Sequence, residues 1–434
     1  VAKITEVEPY DVRFPTSRTL AGSDAMNEAP DYSMAYVVVR TDAGDGMEGH
    51  GFTFTIGRGT EVCVEAVRAY ARLIVGSDLD EVLSDLGGFW RRLAGDSQLR
   101  WIGPEKGAVH LGLAAVVNAV WDLYAKRLGK PLWQVLAEMS PEELVGIVDF
   151  RYLEDVLSPA RARELLEERR AGVAERRERL EADGIRAYTT SAGWLGYDDD
   201  TVRERCREAV KAGWRQLKVK VGRDLAEDLR RLAIVRDEIG DDRQIMMDAN
   251  QVWGVEEALA SMRALREVRP VWIEEPTSPD DVLGHARIAR EVAPVLVASG
   301  EHIHNRVMFK QFFQAGALGV CQLDACRLGG VNEAVAVMLL AAEYGVPVCP
   351  HAGGVGLCEY VQHLAAFDQL AVSPVGERAI VEYVEHLHEH FADPVHIEGG
   401  SYMLPRRPGF SAELLPESLS RFQYPGGEEW STQH

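Results

Sequence analysis

The sequence predicts an α/β protein: a modified (β/α)8-type barrel, of the TIM-barrel kind, carrying an α+β capping domain. Three observations predict it. Through residues 186–384, short apolar or β-branched runs alternate with helical stretches. Nearly every one of those runs ends in a charged residue. The first 150 residues follow another order, strands first and helices after, as α+β modules do.

In chain order, Lys3–Phe14 and Tyr36–Arg40 are rich in β-branched residues, and a glycine-punctuated turn, Asp42–Gly51, leads into Gly51–Ile56. From Glu61 the period becomes helical. Glu105–Lys130 is the clearest helix, with apolar Leu111, Ala115, Val116, Ala119 and Val120 on one face. Residues 1–150 are expected to form the capping domain. The charge-dense stretch 155–184 has few large apolar positions, so residues 151–185 are expected to be an exposed helical insertion with a solvated face.

The barrel runs are Arg186–Thr190, Gln216–Val221, Gln244–Asp248, Val271–Glu274, Val295–Ala298, Val320–Leu323, Val346–Cys349 and Ala379–Val384. Helical stretches such as Leu225–Ile239, Val255–Val268, Asn305–Gln314 and Asn332–Tyr344 lie between them. Eight such units fit a closed barrel. An open doubly wound sheet is the competitor, but Gly49-His50-Gly51 does not lead straight into a helix and no Walker A loop is present. Residues 385–434 are expected to pack back on the capping domain.

A chain of 434 residues, 46% hydrophobic and 26% charged, has an ample core and room for two domains. No apolar run is read as reaching the ~18–20 residues of a membrane span. The opening VAKITEVEPY lacks the pattern of a secretory signal, so a cytoplasmic location is expected. The net charge of −21 makes nucleic acid and membrane surfaces poor partners. It leaves room for an anionic small molecule, because a bound cation reverses the local field. Six scattered cysteines without a CxxC pair read as reduced and buried.

The charged strand ends are Lys218 and Lys220, Asp248, Glu274, Glu301, Asp324, His351 and Glu382. From Lys220 the steps are 28, 26, 27, 23, 27 and 31 residues, each about one β/α unit. Residues one unit apart become neighbours around the rim where barrel enzymes place their sites. Asp248, Glu274 and Glu301 would repel one another unless a cation sat among them, and all-oxygen ligation with open positions suits Mg²⁺ better than Ca²⁺. Glu275 adjoins Glu274, and the strand period leaves open which of the two faces inward.

Lys218 and Lys220, spaced i, i+2, share one strand face. Two ammonium groups so close are expected to lower the pKa of at least one, making a general base. Binding of an anion by both lysines, or a metal-free Schiff base, are the alternatives. Asp324 beside His351 would orient an imidazole that acts as acid. His302 and His304 flank Glu301 as supporting groups. His386, His388 and His390 are read as part of a solvated segment after the barrel.

The motifs KVKVG, MMDANQ, WIEEP, SGEH, QLDACRLGG and CPHAGGVGLCE, in that order and spacing, resemble the enolase superfamily, in the branch with a KxK base and a His–Asp dyad. The stretches RTLAGSDAMNEAPDYS, SQLRWIGPEKG and HLHEHFADPV resemble the L-fuconate dehydratases of that superfamily. The resemblance covers nearly the whole chain. It implies Mg²⁺ on Asp248, Glu274 and Glu301, selecting Glu274 over Glu275. It implies α-proton abstraction by Lys220, with Lys218 beside it on the substrate carboxylate. His351, oriented by Asp324, would assist loss of the 3-hydroxyl, and Glu382 would bond to the enediolate. Gly22, Ser23, Asp24, Tyr32 and Asn250 would contact a small acid sugar, and a homo-oligomer is expected. Dehydration of another aldonate, racemisation or epimerisation on the same scaffold, and a catalytically silent metal- or sugar-binding protein are the remaining readings.

Overall fold

The computed structural model describes residues 2–431; residues 1 and 432–434, from the first and last predicted segments, lie outside the described residues. Three antiparallel strands open the chain in the order β1 (Ile4–Arg13), β2 (Ser33–Thr41) and β3 (Gly49–Thr55). The central strand β2 is buried along both faces from Ser33 to Val39, which is why its valines do not alternate with polar residues.

One cover for this sheet is the helix Gly107–Arg127. Its approach explains Gly49 and Gly51, two residues apart on one face of β3. A Cβ at Gly49 would stand 2.3 Å from the carbonyl oxygen of Ala119, and one at Gly51 would stand 2.4 Å from that of Ala115. The glycine pair therefore serves helix-on-strand packing rather than nucleotide binding. By length and composition this helix is apolar enough to cross a membrane, at 21 residues and mean hydropathy 1.4, which corrects the expectation drawn from the sequence. It is 78% buried within the protein. Buried nearly all round, it has no reason to be amphipathic.

The barrel strands are β4 (Ile185–Thr189), β5 (Gln216–Lys220), β6 (Gln244–Asp248), β7 (Trp272–Glu274), β8 (Leu296–Ser299), β9 (Val320–Cys321) and β10 (Val381–Tyr383). β4 to β9 pair in parallel in that order, and β10 pairs in parallel with β4 through Val381↔Ala187. The seventh predicted run, Val346–Cys349, makes only a bridge, Val348 with Cys321, so that place in the wall is held without a regular strand. Tyr188, Met246, Trp272, Ala298, Val320, Cys349 and Ile380 form one interior layer, each from a different run, as barrel packing requires.

The segment after the barrel makes contacts in two places. The hairpin β11 (Ile397–Glu398) and β12 (Ser401–Tyr402) adds antiparallel to β4 through Ser401↔Arg186. Further on, Phe422 packs on Phe14 with ring centroids 4.6 Å apart, and Tyr424 donates its amide to Asp11 at 2.8 Å. His386, His388 and His390 are half-buried between these parts rather than solvated. His388 bonds to Glu359 at 2.7 Å and stacks on Tyr383, while His390 stacks on Phe14.

The charge-dense stretch is helical, at Pro159–Arg170 and Val173–Asp183, but it is docked. Ala162, Leu165, Leu166 and Leu180 are buried, and Arg176 donates to the carbonyl of Leu370 at 2.9 Å. All six cysteines are free and buried.

Cap and barrel are joined by buried charge. Arg306 reaches Glu333 and Glu105 at 3.3 and 3.2 Å, and Glu333 meets His110 at 2.6 Å. All four side chains are buried, so each charge there depends on its partner for stability.

Candidate active site

The parallel register places Lys220 beside Asp248 and Asp248 beside Glu274 at the C-terminal rim. Glu301 follows from the turn after β8. Oxygens of Asp248, Glu274 and Glu301 all lie within 4.8 Å of one another. Burial and mutual repulsion act on them differently. Burial and the Asp248 charge hold Glu274 well above the usual carboxylate range, and burial with the Glu275 charge brings Glu301 to about 7. Burial also opposes ionisation of Asp248, yet Lys220 and Lys218 hold it low. Three oxygen donors, two buried and one partly buried, with Glu274 and Glu301 penalised for their charge, fit a hard divalent cation.

Lys218 Nζ lies among three carboxylates: Glu274 at 2.7 Å, Glu382 at 2.8 Å and Asp248 at 3.4 Å. It is 1% exposed and does not line the cavity described below. Lys220 Nζ meets Asp248 at 2.5 Å, lies 5.5 Å from the ring centre of Trp194, and does line the cavity. The expectation that the lysines depress one another is corrected here. Burial works against the ammonium form, but the surrounding carboxylates outweigh it and raise both lysines. A divalent cation on those carboxylates would compete for the same charge and favour release of a proton from the lysines.

His351 Nδ1 bonds to Asp324 Oδ2 at 2.7 Å, and its Nε2 stands 3.4 Å from Glu301. Asp324 is held by the amides of Cys326 and Arg327 at 2.6 and 2.7 Å. Burial opposes protonation of His351, but Glu301, the Asp324 hydrogen bond and Glu382 push it up to about 10, a proton-carrying imidazole at neutral pH. Glu382, on β10, takes Lys218 and the Thr190 hydroxyl on one oxygen and the Ala352 amide at 2.9 Å on the other.

A cavity of about 400 Å³ lies between this rim and the cap. Lys220, Asn250, Glu301, Asp324 and His351 line it from the barrel, and Gly22, Asp24 and Tyr32 from the cap. Asn250 is 4% exposed, and its Oδ1 has no partner among the described residues, so it suits a hydroxyl donor. Ser23 is not brought to the cavity. Its Oγ accepts the Gly196 amide at 2.8 Å and its carbonyl the Leu195 amide at 3.0 Å, which clamps the capping loop to the barrel.

Sequence reasoning missed Trp194, Arg327 and the cap residues Phe54, Arg58, Val62 and Cys63, all of which line the cavity. Trp194 follows the one barrel run that ends without a charge, so the search for charged strand ends passed it by. Its loop is pinned by buried Arg231, which donates to the carbonyls of Trp194, Leu195 and Tyr197 at 3.0, 3.1 and 3.2 Å.

Fold and site define a barrel enzyme scaffold with a divalent-cation centre beneath a cap. Residues 201–418 match the enolase C-terminal domain-like family, and residues 25–137 match the mandelate racemase / muconate lactonizing enzyme N-terminal domain. The chain belongs to the enolase superfamily. It is 54% identical to mitochondrial enolase superfamily member 1 of Homo sapiens over 99% of this chain and 97% of that protein. It is 52% identical to an L-galactonate dehydratase of Hypocrea jecorina over 99% and 96%. The crystal structure of the human protein superposes with a TM-score of 0.98, covering 99% and 98% of the two chains. A racemase from Streptomyces coelicolor with bound magnesium is 26% identical, with a TM-score of 0.75 and coverage of 97% and 99%. An L-talarate dehydratase from Polaromonas complexed with Mg and L-glucarate is 25% identical, with a TM-score of 0.73 and 98% of each chain covered.

Proposed function

We propose that the protein is a Mg²⁺-dependent acid-sugar dehydratase that converts L-fuconate to 2-keto-3-deoxy-L-fuconate and water. The observation that carries this is that Lys220 and His351 line one cavity together with Glu301 of the three-carboxylate centre. Lys220, the amine open to the cavity, takes the proton α to the substrate carboxylate. Lys218, fixed among three acids, supplies positive charge beside the carboxylate that develops enediolate character. Asp248, Glu274 and Glu301 would hold Mg²⁺, which when bound would supply Lewis-acid stabilisation of that charge. Glu382 holds Lys218 in place, with Nζ 2.8 Å from its carboxylate. His351, kept protonated by Asp324 and Glu301, delivers its proton to the departing 3-hydroxyl. The proton from C2 and the hydroxide from C3 leave, and the enol becomes the 2-keto acid.

L-Fuconate is the 6-deoxy form of L-galactonate, so the two acids share every reacting centre. The apolar wall of Phe54, Val62, Cys63 and Leu111 supports the deoxy acid. The likeness to an L-galactonate dehydratase supports the second reading, turnover of the hydroxylated acid. Incubation with Mg²⁺ and a panel of aldonates and aldarates, read as 2-keto acid formed, tests both. L-Fuconate is expected to give the highest kcat/KM. Faster turnover of L-galactonate would transfer the assignment to that acid, and epimerised product without keto acid would overturn dehydration altogether.

A further inference from the structure

Glu275 and His302 form a pair for which the proposed elimination has no task. Glu275 lies at φ +42°, and Asn250 and Gln251 at +46° and +68°. Three non-glycine residues in the left-handed region at adjoining strand ends mark a backbone held under constraint, of the sort found around functional sites. In this arrangement the Glu275 carboxylate, 1% exposed, accepts Gln251 Nε2 at 3.0 Å and meets His302 Nδ1 at 2.8 Å. The Glu275 contact occupies Nδ1, so the other ring nitrogen is the one left to act. His302 lines the cavity together with Lys220, Asn250 and His351, and its side chain is 36% exposed. Among the described residues, its ring hydrogen bond is made through Nδ1, to Glu275.

We propose that His302 is a substrate-contacting residue that fixes specificity: Nε2 hydrogen-bonds one hydroxyl of the bound acid sugar, while Glu275 and Gln251 lock the ring. A hydroxyl both gives and accepts a hydrogen bond, so the contact serves either charge state of the imidazole. The pair repeats the logic of Asp324 and His351, a carboxylate aiming a ring into the same cavity, but with positioning rather than proton delivery as its result. The competing role for His302 is to screen Glu301, whose oxygen lies 3.5 Å from Nδ1. That role would act through the cation and would be blind to which hydroxyl the substrate carries.

The proposal rests on the acid-sugar reading, and its test separates the two. Steady-state constants are measured for the wild-type protein, His302→Phe, His302→Gln and Glu275→Gln on the best acid sugar and on analogues each lacking one hydroxyl. Mg²⁺ affinity is measured for each protein by calorimetry without sugar. His302→Phe is expected to lower kcat/KM about tenfold, mainly through KM, which is the worth of one hydrogen bond to substrate. His302→Gln recovers part of the loss, and Glu275→Gln gives a smaller loss of the same pattern. The loss vanishes on the single analogue that lacks the contacted hydroxyl, with Mg²⁺ affinity unchanged. An equal loss on every analogue, or a fall in Mg²⁺ affinity that matches the fall in kcat/KM, overturns the proposal. A wild-type protein silent on the whole panel overturns the acid-sugar reading and this proposal with it.

Discussion

Lys220 and His351 are assigned different moments of one reaction, which makes them separable. With Lys220 replaced by Met, the base is gone and the α-proton cannot leave, so both solvent exchange at C2 and keto-acid formation are expected to fall about a thousandfold. With His351 replaced by Asn, only the acid is lost. Keto-acid formation is then expected to collapse while deuterium still enters C2 from heavy water, as followed by proton NMR. Loss of exchange in the His351 variant as well would mean that the imidazole acts in the first step. Lys218 and Lys220 are neighbours by sequence, yet one is enclosed by three carboxylates and the other opens to the cavity. No spacing rule distinguishes them. Their burial does.

Among the elements, β3 and the helix Gly107–Arg127 give the sharpest stability prediction. At Gly51 a methyl group would press on the Ala115 carbonyl oxygen and, at 2.5 Å, on the Ala119 amide nitrogen, both backbone atoms that cannot swing aside. Gly51→Ala is expected to cost about 3 kcal/mol, at the upper end of core overpacking, and to lower the melting temperature by several degrees. The π-helical turn Asp368–Val372 makes a second prediction. Both Asp368 oxygens are buried without a hydrogen-bond partner among the described residues, and burial pushes the carboxyl up to about 8, only partly offset by Arg169. In the unfolded chain the same group titrates near 3.8. The folded form therefore holds the extra proton between those values, and stability is full below the lower one and lost as pH rises through the upper one. Asp368→Asn is expected to flatten that decline and to raise the melting temperature at pH 9 relative to the wild-type protein. Parallel melting curves across pH 5–9 for both proteins would refute it.

At the scale of the whole molecule, the converging acids are expected to make stability respond to a divalent cation. A cation that binds the folded state alone adds stability by mass action, about 2.7 kcal/mol at a hundred times its dissociation constant. Mg²⁺ is expected to raise the melting temperature, EDTA to reverse the rise, and Asp248→Asn to abolish it; thermal melts in parallel check all three. The Arg306–Glu333–His110 network ties the cap to the barrel helices, so cap and barrel are expected to melt in one transition.

The sequence by itself determined the alternation of strand and helix, the ring of charged strand ends, and which acids stand at neighbouring strand ends as candidates for holding a cation. These are periodic or chemical properties, and a parallel barrel converts equal spacing directly into adjacency. It did not determine which lysine faces the cavity, that Ser23 clamps a loop, or that Trp194 and His302 reach the site. Nor did it show that the charge-dense helices dock or that the histidines after the barrel are half-buried. Each of these depends on which surfaces meet, and contacts between residues far apart in the chain leave no local period to read. The barrel's seventh place, held by a single bridge at Val348, is the same lesson in backbone form: the run of apolar residues was legible, but its hydrogen bonding was decided by its neighbours.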